Sequence, residues 1–213
     1  MKKNAFVLYF IFCFFDFNAQ EKTKLYNHSF GFDIAIPKTI SNEIFNSNFD
    51  EVAELGFNYD LMLFKNISLG VSYRYSYFEL NKKSFTTDVN GQLDSHFTGL
   101  TTAISKPIND KIFFKYGISF GKNQVLKKAT GFENLNSTNY NNFISPFFSL
   151  FMYDETVGAV GLFINLSYAD YVYDFDLTNP NATYVPNNTI LDKLSWFAVG
   201  FKYDYLIKWL DYN

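Results

Sequence analysis

Residues 52–77 read VAELGFNYDLMLFKNISLGVSYRYSY, and their alternation decides the fold. On an extended chain successive side chains point to opposite faces. Ala53, Leu55, Phe57, Tyr59, Leu61 and Leu63 therefore share one face, against Glu54, Gly56, Asn58 and Asp60 on the other. After a turn at Lys65 and Asn66, Ile67, Leu69, Val71, Tyr73, Tyr75 and Tyr77 oppose Ser68, Gly70, Ser72, Arg74 and Ser76. Two alternating runs separated by two turn residues predict a β-hairpin.

The pattern recurs on both sides of this hairpin. Ser29–Ile36 precedes it, with Phe30, Phe32, Ile34 and Ile36 on one face and Asp33 on the other. His96–Ser105, Ile112–Gly121, Phe143–Tyr153, Val160–Ala169 and a run starting near Leu194 follow it. Pro146 lies inside the sixth run and removes a ladder donor there. Long connections (Pro37–Glu51, Asn81–Leu93, Leu126–Asn142, Asp174–Asp192) alternate with short ones at Lys65–Asn66, Lys106–Asp110 and Asp154–Glu155. Tight turns on one side and long loops on the other, with an even strand number, describe an eight-stranded antiparallel up-and-down transmembrane β-barrel.

Composition agrees with that reading. Aromatic residues make up 21% of the chain, yet the mean hydropathy is −0.09. No apolar run beyond the N-terminal segment approaches the roughly 18 residues of a spanning helix. Strands that alternate an apolar outer residue with a polar or small inner one reconcile the two figures. Val71, Tyr73, Ile118, Leu162, Ile164, Val199 and Phe201 are the expected lipid-facing residues. Tyr77, Tyr168, Tyr171 and Tyr173 at one rim, and Tyr203, Tyr205 and Trp209 at the other, are expected to form aromatic girdles.

The N-terminus reads as a secretory signal peptide over residues 1–19, leaving residues 20–213 as the barrel domain. Lys2 and Lys3 form the basic region and Ala5–Phe15 the apolar one. Asp16, Asn18 and Ala19 supply the cleavage end, although Phe17 departs from the small residue expected there. The only cysteine, Cys13, lies within the apolar region, after Ile11 and Phe12 rather than the small residues of a lipoprotein site. Cleavage would lower the count from 18 basic and 21 acidic residues to 16 and 20. A net charge of −4 and the absence of a basic stripe argue against nucleic acid as a partner.

In the expected lumen the chemistry is ionic. Arg74, the one arginine of the sequence, points inward by parity. A tight hairpin would set it opposite Asn58 with Asp60 on the diagonal. Asp33, Glu54, Lys115, Lys202 and Asp204 point the same way. Eight strands enclose room for side chains rather than a channel, so these residues are expected to form a structural polar network, not a gated ion path.

Other constellations are weaker. Ser95 and His96 are adjacent and must face opposite sides, which rules against a nucleophile–base pair, and His28 with Ser29 sits at the short-turn rim. Asp174, Asp176, Asn179 and Asn181 offer oxygen ligands without the spacing or the glycine of a calcium loop. No catalytic, cofactor or metal site is expected.

On strand count, alternating loop lengths and the closing segment Phe197-Ala-Val-Gly-Phe-Lys-Tyr-Asp-Tyr205, the chain resembles the small outer-membrane barrels typified by OmpX and the OmpA membrane domain over residues 27–209. The family ends on an aromatic residue, whereas this chain continues to Asn213. Its Asn, Lys, Phe and Tyr bias resembles barrels of the Bacteroidota. The resemblance implies an outer-membrane location, recognition by the barrel-assembly machinery, and contact of the outer loops with lipopolysaccharide or a surface protein. The expected role is non-enzymatic surface binding or envelope integrity. The alternatives are a component of a secretion or gliding apparatus, a lipid-modifying enzyme, and a secreted lipocalin-like binder with the apolar faces turned inward.

Overall fold

The computed structural model describes residues 26–40, 43–64, 66–81, 90–130, 136–154, 157–172 and 193–207. The strands are β1 (His28–Thr39), β2 (Phe49–Phe64), β3 (Ile67–Leu80), β4 (Asn90–Pro107), β5 (Ile112–Thr130), β6 (Ser137–Asp154), β7 (Gly158–Val172) and β8 (Lys193–Ile207), with a short helix α1 (Glu43–Asn48) before β2. Each strand pairs antiparallel with its chain neighbour, and β8 returns to β1, so the sheet is a closed barrel in sequence order. The register fixes its shape. Passing from Phe30 through Tyr59, Val71, Leu100, Phe120, Ile144 and Tyr168 to Ser195 visits every strand. The Ser195 carbonyl then accepts from the Ile40 amide at 3.0 Å. The path therefore re-enters the first strand's line ten residues beyond its start, a stagger that tilts the strands by about 35–45°.

Two turns carry their chemistry in single residues. Asn109 Oδ1 accepts from the amides of Lys111 and Ile112 at 2.9 and 2.8 Å, an Asx turn between β4 and β5. Gly158 opens β7 at φ 103°, a left-handed backbone that an L side chain would strain.

The outer face carries a continuous apolar belt. On β5 it comprises Ile112, Phe114, Tyr116, Ile118 and Phe120, on β7 Val160, Leu162, Ile164, Leu166 and Tyr168. Five such positions span about 20 Å along the barrel axis at this rise and tilt. Val71 (54%), Leu162 (56%) and Phe201 (65%) are solvent-exposed, as are Tyr73, Ile164 and Val199, while Ile118 is half-buried. Pro146 also faces outward, and the β6–β7 ladder lapses between Ile144–Tyr168 and Phe147–Asn165, where proline has no amide to give.

Several strands outrun the sequence expectation. Residues 126–130 and 137–142, expected as loop, extend β5 and β6; residues 90–95 extend β4; and the Pro37–Glu51 connection contains the ends of β1 and β2 with α1 between them. Here the alternation continues with its sense reversed. Phe78, Leu93, Phe97, Val125, Phe143, Leu194 and Trp196 point inward and are buried, together with Phe45 of α1 and Phe49. Lys38, Glu79, Lys122, Asn142 and Asp170 point outward and are exposed. Polar composition reads as loop, but here the polar residues take the outer face of continuing strands and the apolar ones the inner face. Tyr171, expected in the girdle, is instead 8% exposed and joins the internal cluster, because it shares the inward parity of Asn165, Ser167 and Ala169 on β7. Residues 1–19, Tyr173, Trp209 and the Asp174–Asp192 connection with its four oxygen ligands lie outside the described residues.

Candidate functional site: the barrel interior

Three layers fill the interior. At the short-turn end Phe113 and Phe151 stack at 4.9 Å beside Ala159. Above them Tyr26 is buried, its hydroxyl 3.1 Å from Ser105 Oγ and its ring 5.7 Å from Lys115 Nζ. At the loop end the aromatic cluster closes the barrel, with Phe78 edge-on to both Phe45 (5.2 Å) and Trp196 (5.7 Å) and Phe97 against Phe143 at 4.4 Å. The ionic layer lies between them.

All eight residues singled out for that layer point inward, but their pairing differs from the hairpin estimate. The β2–β3 ladder, which shifts by one residue at a bulge between Met62 and Phe64, sets Arg74 opposite Gly56, not Asn58, and Asp60 opposite Gly70. Arg74 Nε is 3.3 Å from Glu54 Oε1, and its Nη1 donates to Ser145 Oγ at 3.0 Å. Glu54 also accepts from Ser76 Oγ (2.8 Å), Asn165 Nδ2 (2.7 Å) and Trp196 Nε1 (2.7 Å). Asp60 instead takes Lys115, whose Nζ donates to Asp60 Oδ2 at 2.7 Å and Asp204 Oδ2 at 3.2 Å. Asn58 Nδ2 donates to the same Asp60 oxygen at 2.6 Å. Lys202 Nζ is 3.8 Å from Asp33 Oδ2 and 5.7 Å from the centre of the Phe147 ring. Asp33 lies over Gly56, where a Cβ would meet its Oδ1 at 2.2 Å, so a side chain here would displace the carboxylate.

Four carboxylates (Asp33, Glu54, Asp60, Asp204) thus face three cations (Arg74, Lys115, Lys202), all buried. Among the described residues, one oxygen each of Asp33, Asp60 and Asp204 has no hydrogen-bond partner. Burying charge is tolerable only where partners replace water, and Glu54 and Lys115 achieve this more fully than Asp33 does. The cavity against this layer, lined in part by Asp33, Asp60, Arg74 and Lys202, measures about 10 Å³. That is about the room of one water. The arrangement ties side chains of β1, β2, β3, β5, β6, β7 and β8 together across the interior.

Sequence reasoning missed Trp196 and Asn165 as partners of Glu54. Their inward parity was readable, but the contact spans 142 residues for Trp196 and 111 for Asn165, and only closure of the barrel creates it. The two histidines lie outside the interior. His28 Nδ1 is 2.6 Å from Tyr59 Oη. His96 Nδ1 is 2.8 Å from Tyr73 Oη on the outer face, while Ser95 Oγ turns inward and donates to Asn123 Oδ1 at 2.8 Å. Among the described residues no group of acidic, histidine or cysteine side chains could hold a metal ion.

No protein-family model matches the chain, and no curated protein matches it. Solved structures do. The attachment invasion locus protein Ail of Yersinia pestis, crystallised with the heparin analogue sucrose octasulfate, is 10% identical, covering 84% of this chain and 97% of its own at a TM-score of 0.43. Neisserial surface protein A is 10% identical with the same coverages and a TM-score of 0.49. The N-terminal β-barrel domain of OprF from Pseudomonas aeruginosa is 9% identical, covering 84% and 98%, at 0.42.

Proposed function

We propose that this chain is a non-enzymatic barrel of the bacterial outer membrane whose loop end engages a partner at the cell surface. The observation that carries the reading is the reversal of inside and outside along the strands. Over about 20 Å the outer face is apolar and the inner face ionic, which suits a bilayer of this thickness and no aqueous setting. Above that zone the outer face becomes polar and the inner face aromatic, as in a barrel standing in water. The rival lipocalin-like arrangement requires the large apolar rows of β2, β3, β5 and β8 inside, and they stand outside. Export would use residues 1–19, and insertion the barrel-assembly machinery. With the interior filled, function falls to the outer surface and loops, where lipopolysaccharide or an envelope protein would bind.

The test is to refold the chain from residue 20 onward in detergent and compare unheated with boiled samples by SDS electrophoresis. A mobility shift on boiling, together with protection of the strands but not the loops from protease in vesicles, is expected. A chain that folds in buffer without detergent and shows no shift would sink the reading.

A further inference from the structure

We infer that the small cavity of the ionic layer is a binding site for one alkali-metal cation, held by Asp33 and Asp60 together with the neutral oxygens of Asn58 and Ser149. All four residues line that cavity, whose volume is about 10 Å³. Among the described residues, Asp33 Oδ1, Asn58 Oδ1, Asp60 Oδ1 and Ser149 Oγ are buried atoms without a hydrogen-bond partner. Asp33 and Asp60 are 2% and 1% exposed and Ser149 is fully buried, so bulk water does not reach them. The neighbouring cations are committed to other atoms. Lys115 and Asn58 Nδ2 bind Asp60 through Oδ2, Lys202 approaches Asp33 through Oδ2, and Arg74 is held by Glu54 and Ser145. On the same wall Thr101 Oγ1 bonds Ser72 Oγ at 2.9 Å and Ser119 Oγ at 2.8 Å, so those hydroxyls are already engaged.

The lining therefore presents acceptor oxygens in excess of donors. Asp33, Glu54, Asp60 and Asp204 also outnumber Arg74, Lys115 and Lys202 by one negative charge, and burial makes an unmatched charge costly. A water would bring two donors and no charge. A bare monovalent cation satisfies several oxygens at once and brings the layer to neutrality, whereas a divalent ion would overshoot. The room of about one water admits such an ion. Hard oxygen donors suit it. Two carboxylates with neutral oxygens are a different donor set from the three or more acidic, histidine or cysteine side chains of a tighter metal centre. The inference concerns the interior alone and does not rest on what the outer surface binds.

The experiment is urea unfolding of the barrel refolded in sodium chloride or in choline chloride at equal ionic strength, followed by tryptophan emission. The midpoint should be higher in sodium and rise with the logarithm of its concentration at the slope of one bound ion. Asp33→Asn removes the surplus charge and should abolish the difference between the salts. Ser149→Ala keeps every charge and should raise the sodium concentration needed for half the effect about fivefold. Glu79→Gln, which removes an exposed carboxylate of the outer face, should leave the sodium dependence intact. Equal midpoints in the two salts would overturn the site and assign these oxygens to a water or a proton. A sodium dependence that survives Asp33→Asn, or a Ser149→Ala variant that loses the same stability in both salts, would overturn it as well.

Discussion

The indole Nε1 of Trp196 donates to Glu54 Oε2 at 2.7 Å, joining the aromatic layer at the loop end to the ionic layer beneath it. Both residues are fully buried, so neither can exchange this partner for water. Trp196→Phe keeps most of the packing and removes the donor. The expected loss is about 1–2 kcal/mol, read from the urea midpoint of the barrel in lipid vesicles. An unchanged midpoint would show that the layers are not coupled through this bond.

Removing the acceptor should cost more. Glu54→Ala leaves Arg74 buried with Ser145 as its remaining neutral partner, and about 3–5 kcal/mol is expected. Arg74→Met together with Glu54→Leu should recover much of that loss, because two apolar side chains replace a matched pair. A double-mutant cycle on unfolding in vesicles checks this; additive losses would contradict direct pairing.

Lys115 bridges Asp60 and Asp204, so Lys115→Met strands two carboxylates at once. Its destabilisation should exceed that of Lys202→Met, whose contact to Asp33 is 3.8 Å long. Parallel denaturation of the two variants gives the ranking, and the reverse order would refute the assignment of Lys115 as the centre of the layer.

The belt and the rim differ in what they tolerate. Val71→Arg or Ile164→Arg should cost about 2–4 kcal/mol in a bilayer, where each faces hydrocarbon. Gln124→Arg, above the belt on the same outer face, should change stability by under about 0.5 kcal/mol. Equal costs at the two levels would remove the boundary drawn between them.

Trp196 should be invisible to the solvent and the lipid alike. In a Trp209→Phe background its emission should stay blue-shifted and resist both acrylamide and brominated acyl chains. Quenching by brominated chains would place the indole on the outer face, contrary to its complete burial.

The alternation of residues 52–77 and its repeats determined the strands, their faces and the inward direction of Asp33, Glu54, Asp60, Arg74, Lys115, Lys202 and Asp204. Side-chain direction on a strand follows from backbone geometry alone, so parity is a local property that the sequence carries in full. It also carried the outer belt, since a row of large apolar residues opposite small and charged ones has only one comfortable placement in eight strands. Three features were decided by the tertiary structure. The β2–β3 register, with its one-residue shift at the bulge between Met62 and Phe64, set Arg74 opposite Gly56 and within reach of Glu54, while Asp60 met Lys115 across the barrel, because pairing beyond a turn depends on every extra residue in the ladder. Closure of β8 on β1 brought Trp196 within reach of Glu54 across most of the chain. The extension of β4–β6 beyond the belt turned polar segments that read as loops into strands, because what an alternating strand shows to its surroundings depends on whether lipid or water lies outside it.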